Sequence, residues 1–166
     1  IGQVNRGAWE GGDNRYIDED HIACGQGERS TWPGIRNAQE IFANQGIEVH
    51  GIEIPTKWTH LDGVFAPITS DFALIIKDEV PSWFVGFLEG REYELVNVPV
   101  EKVEGTLALN LLALGDERVL SFKTNPVVNE ILEAEGFDVY KPDLTEFVDR
   151  GGGPHCLTFE LERDRK

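Results

Sequence analysis

Methionine is missing altogether from these 166 residues, and cysteine occurs only at Cys24 and Cys156. Two thiols so far apart in a chain of this size do not make the framework of a small secreted disulfide scaffold. A reducing, cytoplasmic setting is therefore expected. With no initiator methionine and no signal-peptide pattern, the opening Ile1-Gly2-Gln3-Val4 reads as part of a longer product. Basic residues are scarce, 15 Lys and Arg against 30 Asp and Glu, for a formal charge of −15. A nucleic-acid binder needs clustered cations to displace phosphate counterions, and that class is excluded. A field of this sign draws small cations toward a cleft, and it equally serves solubility or adaptation to salt. No apolar run approaches the ~20 residues of a membrane helix, so no membrane partner is expected. What remains is a globular composition, 40% apolar and 27% charged. Its length suits one well-buried domain, residues 1–166, and is too short for two.

Polar turns divide the chain into units of similar grammar. The first predicts strands at Arg15 to Ile17 and His21 to Cys24. A helix follows Pro33, with Ile35, Ala38, Ile41 and Phe42 on one face, and ends at Gly46; a strand then runs from Ile47 to Ile54. The second predicts strands at Leu61 to Phe65 and Phe72 to Lys77, a short helical piece from Pro81 to Glu89, and a strand from Tyr93 to Val98. The third runs through Leu107 to Leu114, Arg118 to Phe122, a helix containing Val127, Val128, Ile131 and Leu132, and a strand from Phe137 to Tyr140. Leu157 to Leu161 alternates like a closing strand. Strand–strand–helix–strand units repeated roughly every 50 residues predict an α/β repeat architecture rather than one continuously wound sheet.

Four constellations carry chemistry. Gly151-Gly152-Gly153-Pro154-His155-Cys156 places a thiol behind a glycine loop that allows close approach of a ligand, as a nucleophile requires. The plain alternative is a buried structural cysteine, which is how Cys24 reads inside Ile22-Ala23-Cys24. His60-Leu61-Asp62, on a strand, would show a proton carrier and a carboxylate on one face, or merely stabilise a turn. Trp9-Glu10-Gly11-Gly12-Asp13 sets two carboxylates about a turn, suited to a planar cationic fork or to plain solvation. Arg29, in Gly27-Glu28-Arg29-Ser30-Thr31, suits a carboxylate ligand or an internal ion pair.

In this order the four motifs resemble the guanidine-modifying superfamily of arginine deiminases, dimethylarginine hydrolases, agmatine deiminases and amidinotransferases. The likeness runs from Trp9 to Thr158. It implies a five-bladed α/β propeller, the pentein fold, of which about three modules are present here, the C-terminal portion. It also implies roles: Cys156 as nucleophile, His60 as general acid and base, Glu10 and Asp62 as guanidinium-binding carboxylates. Arg29 is implied to hold a substrate carboxylate, with Asp13 in support. The implied reaction is hydrolysis of a guanidino C–N bond of arginine or a close relative through a thiouronium, without metal or organic cofactor. An amidinotransferase, or a non-catalytic binding module of the same fold, stands as the alternative. The superfamily's earlier modules supply a further aspartate. Another chain or a preceding segment is thus expected to complete the ring, and exposed edge strands make a homo-oligomer a further expectation.

Overall fold

The computed structural model describes residues 2–158. Its first module pairs β1 (Asn14–Tyr16) antiparallel to β2 (His21–Gln26), joined by a tight connection. Helix α1 (Trp32–Ala43) then carries the chain over to β3 (Glu48–Glu53), parallel to β2 from His21↔Glu48 to Gln26↔Glu53. Parallel neighbours require such a crossover, which a hairpin cannot supply. The second module repeats the plan with β4 (Phe65–Pro67), β5 (Phe72–Ile75), α2 (Ser82–Glu89) and β6 (Glu94–Asn97). A short helix, α3 (Val100–Val103), leads into the third: β7 (Leu112–Gly115), β8 (Arg118–Leu120), α4 (Pro126–Ala134) and β9 (Asp138–Tyr140), followed by α5 (Thr145–Val148). Each module is a three-stranded sheet with its second strand in the middle. The expected strand–strand–helix–strand repeat is thus present three times.

Period-2 alternation sorts the strand side chains between two cores. On β2, Ile22 and Cys24 face α1 and pack with Ile35 and Val49. Ala23, between them, faces the larger core that continues through Phe65, Leu74, Phe84 and Leu109 to Val119 and Leu132. β5, central in its sheet, is buried at every position, as its unbroken Phe72-Ala73-Leu74-Ile75 run requires.

Two expectations are corrected. Leu61 to Phe65 does not form one strand: Leu61–Gly63 is a turn of 3-10 helix and the strand begins at Phe65. The Gly63 and Val64 N–H groups donate to the carbonyls of His60 and Leu61, and the Leu61 N–H is taken by the Asp13 carboxylate, so none is free for a ladder. Likewise Leu107 to Leu111 is irregular about a turn at Ala108 and Leu109, with strand only from Leu112. Leu157 and Thr158 lie in and just after a turn, and the remainder of the expected closing strand lies outside the described residues.

The start of α1 anchors the segment that bears Glu10. Thr31 Oγ1 accepts the Ala8 N–H at 3.0 Å, the Thr31 N–H donates to Ala8 O at 3.0 Å, and Ser30 Oγ accepts the Glu10 N–H at 2.9 Å. Gly34 lies against the Ala8 backbone with no room for a Cβ. Gly34→Ala should therefore cost roughly 1–3 kcal/mol, the usual range for overpacking. It should also loosen Glu10, seen as a lower thermal midpoint together with lower turnover. A variant of unchanged midpoint would show that this contact yields freely.

Candidate active site

The site forms where the loops at the C-terminal end of β2 meet the turns preceding β4 and β7. Gly25 on β2 is needed for close approach: a Cβ there would lie 2.8 Å from Asp13 Oδ1 and 2.9 Å from Leu61 Cβ. Asp13, 1% exposed, thus sits beneath the 3-10 turn, and its Oδ1 accepts the Leu61 N–H at 3.1 Å. Burial pushes its carboxyl above the ordinary range. Gly12 makes room for the imidazole of His60, since a Cβ at that position would be 2.7 Å from the ring.

The predicted residues fall into two adjoining groups. In the first, His60 Nε2 lies 3.0 Å from Glu10 Oε2, and Arg29 Nε donates to both Glu10 oxygens at 3.1 and 3.0 Å. The hydrogen bond from His60 and then that from Arg29 hold the Glu10 carboxyl below its usual value. Arg29 is itself exposed, and its guanidinium already lies against the carboxylate expected to bind one. In the second, Asp62 is 4% exposed, and its Oδ2 meets three groups. These are Asn110 Nδ2 at 2.7 Å, His155 Nδ1 at 2.9 Å and Cys156 Sγ at 3.7 Å. Burial, and next the Asp62 charge, push the Cys156 thiol above its ordinary value. His60 and Asp62 therefore do not share one face of a strand. The 3-10 turn sends the imidazole to Glu10 and the carboxylate to Cys156.

Two participants escaped the sequence reading. Asn110 is fully buried and bonds Asp62, Cys156 Sγ (2.9 Å) and the Cys156 N–H (3.1 Å). The signal available was a single amide inside the apolar run Leu107-Ala108-Leu109-Asn110-Leu111-Leu112. His155 was visible only as the neighbour of Cys156. Trp9, by contrast, turns inward, stacking edge-on with Phe42 and donating to Cys24 Sγ. Cys24 is fully buried, with its thiol pushed up to about 12 by desolvation, as a structural cysteine should be.

Among the described residues one grouping has metal-ligand spacing: His21, Glu48 and His50, with ligand atoms within 4.8 Å of one another. It sits at the far end of β2 from Gly25. Arg91 fills it, with Nη2 2.6 Å from His21 Nε2 and Nη1 3.2 Å from Asp18. Its guanidinium stacks over Phe87 and opposes entry of a second cation. Among the described residues no helix is long and apolar enough to cross a membrane.

The family model for eukaryotic N,N-dimethylarginine dimethylhydrolase matches residues 3–163. The chain belongs to this family. With it, the chain falls in the guanidine-modifying, or pentein, superfamily. It is 32% identical over 154 residues to the uncharacterized protein YkgA of Bacillus subtilis, covering 93% of this chain and 52% of that one. It is 23% identical over 195 residues to the arginine deiminase of Listeria monocytogenes, covering 93% and 47%. The chain thus spans about half the length of these relatives. The crystal structure of a dimethylarginine dimethylaminohydrolase from Pseudomonas aeruginosa, complexed with citrulline, superposes with a TM-score of 0.70 at 24% identity, over 89% of this chain and 53% of that one. The three modules of the dimethylhydrolase-family chain are therefore those of an α/β propeller, and the arginine deiminase and the dimethylarginine dimethylaminohydrolase among its relatives are guanidino-hydrolysing enzymes.

Proposed function

We propose that this chain carries the nucleophilic half of a guanidino hydrolase acting on arginine or an N-substituted arginine. The observation that carries the reading is the carboxylate of Asp62 only 3.7 Å from the Cys156 sulfur. A negative charge beside a thiol opposes thiolate formation, so the arrangement suits an electrophile that arrives as a cation and cancels that penalty. A thiol serving acyl transfer would need hydrogen-bond donors for a developing oxyanion at this point, not a carboxylate.

In the proposed sequence, Asp62 and Glu10 hold the guanidinium plane, Glu10 exchanging its present partner Arg29 for the substrate. The Cys156 thiolate forms a bond to the central carbon, and the C–N bond to the departing amine breaks as His60 donates a proton to that nitrogen. Water then attacks the thiouronium while His60 takes a proton, the C–S bond breaks, and the ureido product leaves with the thiolate restored. Asp13 supports the His60 turn from beneath. Arg29, released from Glu10, turns to the α-carboxylate of the substrate.

The direct test supplies the native protein with arginine or dimethylarginine, with and without glycine or ornithine as acceptor. Citrulline together with ammonia or an amine is expected in the absence of any acceptor. Product formed only with an acceptor would identify an amidinotransferase, and no ureido or amidino product from either substrate would leave a binding module. Replacing Arg29 with alanine should raise KM for arginine more than for agmatine, which lacks the carboxylate. Equal losses for the two would return Arg29 to a structural ion pair with Glu10.

A further inference from the structure

The amide of Asn110 lies behind the nucleophile, on the side away from solvent, and every one of its hydrogen-bonding atoms is used there. Its Nδ2 carries two protons, and two acceptors lie in reach: Asp62 Oδ2 at 2.7 Å and Cys156 Sγ at 2.9 Å. Its Oδ1 accepts the Cys156 N–H at 3.1 Å. This pattern fixes which end of the amide is which, because the opposite orientation would aim the carbonyl oxygen at a carboxylate and at sulfur, both acceptors. One neutral group therefore stands between two centres that are both negative when the nucleophile is active.

We infer that Asn110 is a further catalytic residue of the reaction proposed above, a bridging amide that donates one proton to the Cys156 thiolate and one to the Asp62 carboxylate. Few other side chains could do this. Aspartate has the shape but adds a third negative charge. Serine offers one proton where two are needed, and glutamine is a methylene too long for a fully buried position. The bond to the Cys156 N–H sets the turn that presents the sulfur, so a single side chain fixes both the place and the charge of the nucleophile. The glycine run gains a specific purpose from this contact. Gly153 seats directly on the amide, and a Cβ there would lie 2.5 Å from Asn110 Oδ1 and 2.9 Å from its Cγ.

The inference rests on the reading of Cys156 as nucleophile, and alkylation separates its failure from a failure of the hydrolase reading. Iodoacetamide modification of Cys156, followed by mass spectrometry from pH 6 to 10 in the native protein, reports thiolate formation without requiring any turnover. Asn110→Asp, which keeps the shape, should move the midpoint upward by about one pH unit or more, or roughly tenfold slower modification at pH 7. Gly153→Ala, which displaces the amide without removing it, should move the midpoint in the same direction by less. In turnover, Asn110→Asp should lower kcat far more than it raises KM. Circular dichroism establishes that each variant is folded, and should Asn110→Asp fail to fold, Gly153→Ala carries the same readout. An unchanged midpoint in a folded Asn110→Asp variant, or in Gly153→Ala when that is the folded one, would overturn the inference. A shifted midpoint in a protein that never forms a ureido product would uphold it while removing the hydrolase reading.

Discussion

An electrophilic amidine should label the native protein once, at Cys156, and leave Cys24 untouched; Cys156→Ala should lose both the label and all measurable turnover, while Cys24→Ala keeps both. The selectivity follows from two different environments for one functional group. Cys24 is fully buried between α1 and the sheet of the first module, with Trp9 donating to its sulfur. Burial pushes its thiol up to about 12, so almost none of it is thiolate at pH 8. Cys156 as a residue is exposed, while its sulfur is half-buried against Asp62 and receives a donor from Asn110. Its thiol is also raised, by burial and by Asp62, so the free protein is expected to react slowly with a neutral alkylator at neutral pH. Reaction should accelerate as pH climbs, since thiolate grows tenfold per unit below the pKa. A cationic amidine carries its own charge to Asp62 and should therefore react faster than neutral iodoacetamide at the same pH. Equal labelling of the two cysteines would end the catalytic reading of Cys156, and equal rates for the cationic and neutral reagents would end the role given to Asp62.

The parts of this molecule that could be read from sequence are those whose causes are local. The α1 helix follows from Pro33 and an apolar face at helical spacing, and its end from Gly46, which takes φ +78°. The modular repeat follows from alternation, and the structural fate of Cys24 from its place on the α1 side of β2. The conformation at Leu61 was not readable, because Leu61, Val64 and Phe65 are all buried and look like strand whichever backbone they adopt. What decides it is Asp13, 48 residues earlier, accepting the Leu61 N–H. Asn110 was hidden for the same reason, since its partners lie 48 and 46 residues away and its neighbours are apolar. The candidate residues could be named from the sequence as types. Their grouping, His60 with Glu10 and Asp62 with Cys156, depends on contacts that only the folded chain makes.

That grouping shapes the other large effect, expected for His60→Ala: a fall in kcat of about 10²–10⁴-fold, the usual worth of a positioned general acid–base group. His60 reaches Glu10 at 3.0 Å over a floor that only glycine at position 12 permits. Because Glu10 is held below its ordinary carboxylate range by His60 and Arg29, it stays ionised from mildly acid to alkaline pH and keeps orienting the ring. The clamp on Cys156 is made by Asp62 and Asn110 and does not involve the imidazole. Labelling of Cys156 by a cationic amidine should therefore survive in His60→Ala even as turnover collapses. The leaving group separates the two proton transfers. An S-alkyl isothiourea analogue of the substrate expels a thiolate that needs no proton, so its attack by Cys156 should proceed nearly as in the unmodified protein. Hydrolysis of the resulting thiouronium still needs a base for water, so the covalent adduct should accumulate and appear as a mass increase on the intact chain. Near-normal turnover of arginine in His60→Ala would remove the imidazole from the mechanism. Failure of the adduct to accumulate, with labelling intact, would confine its part to protonating the departing amine.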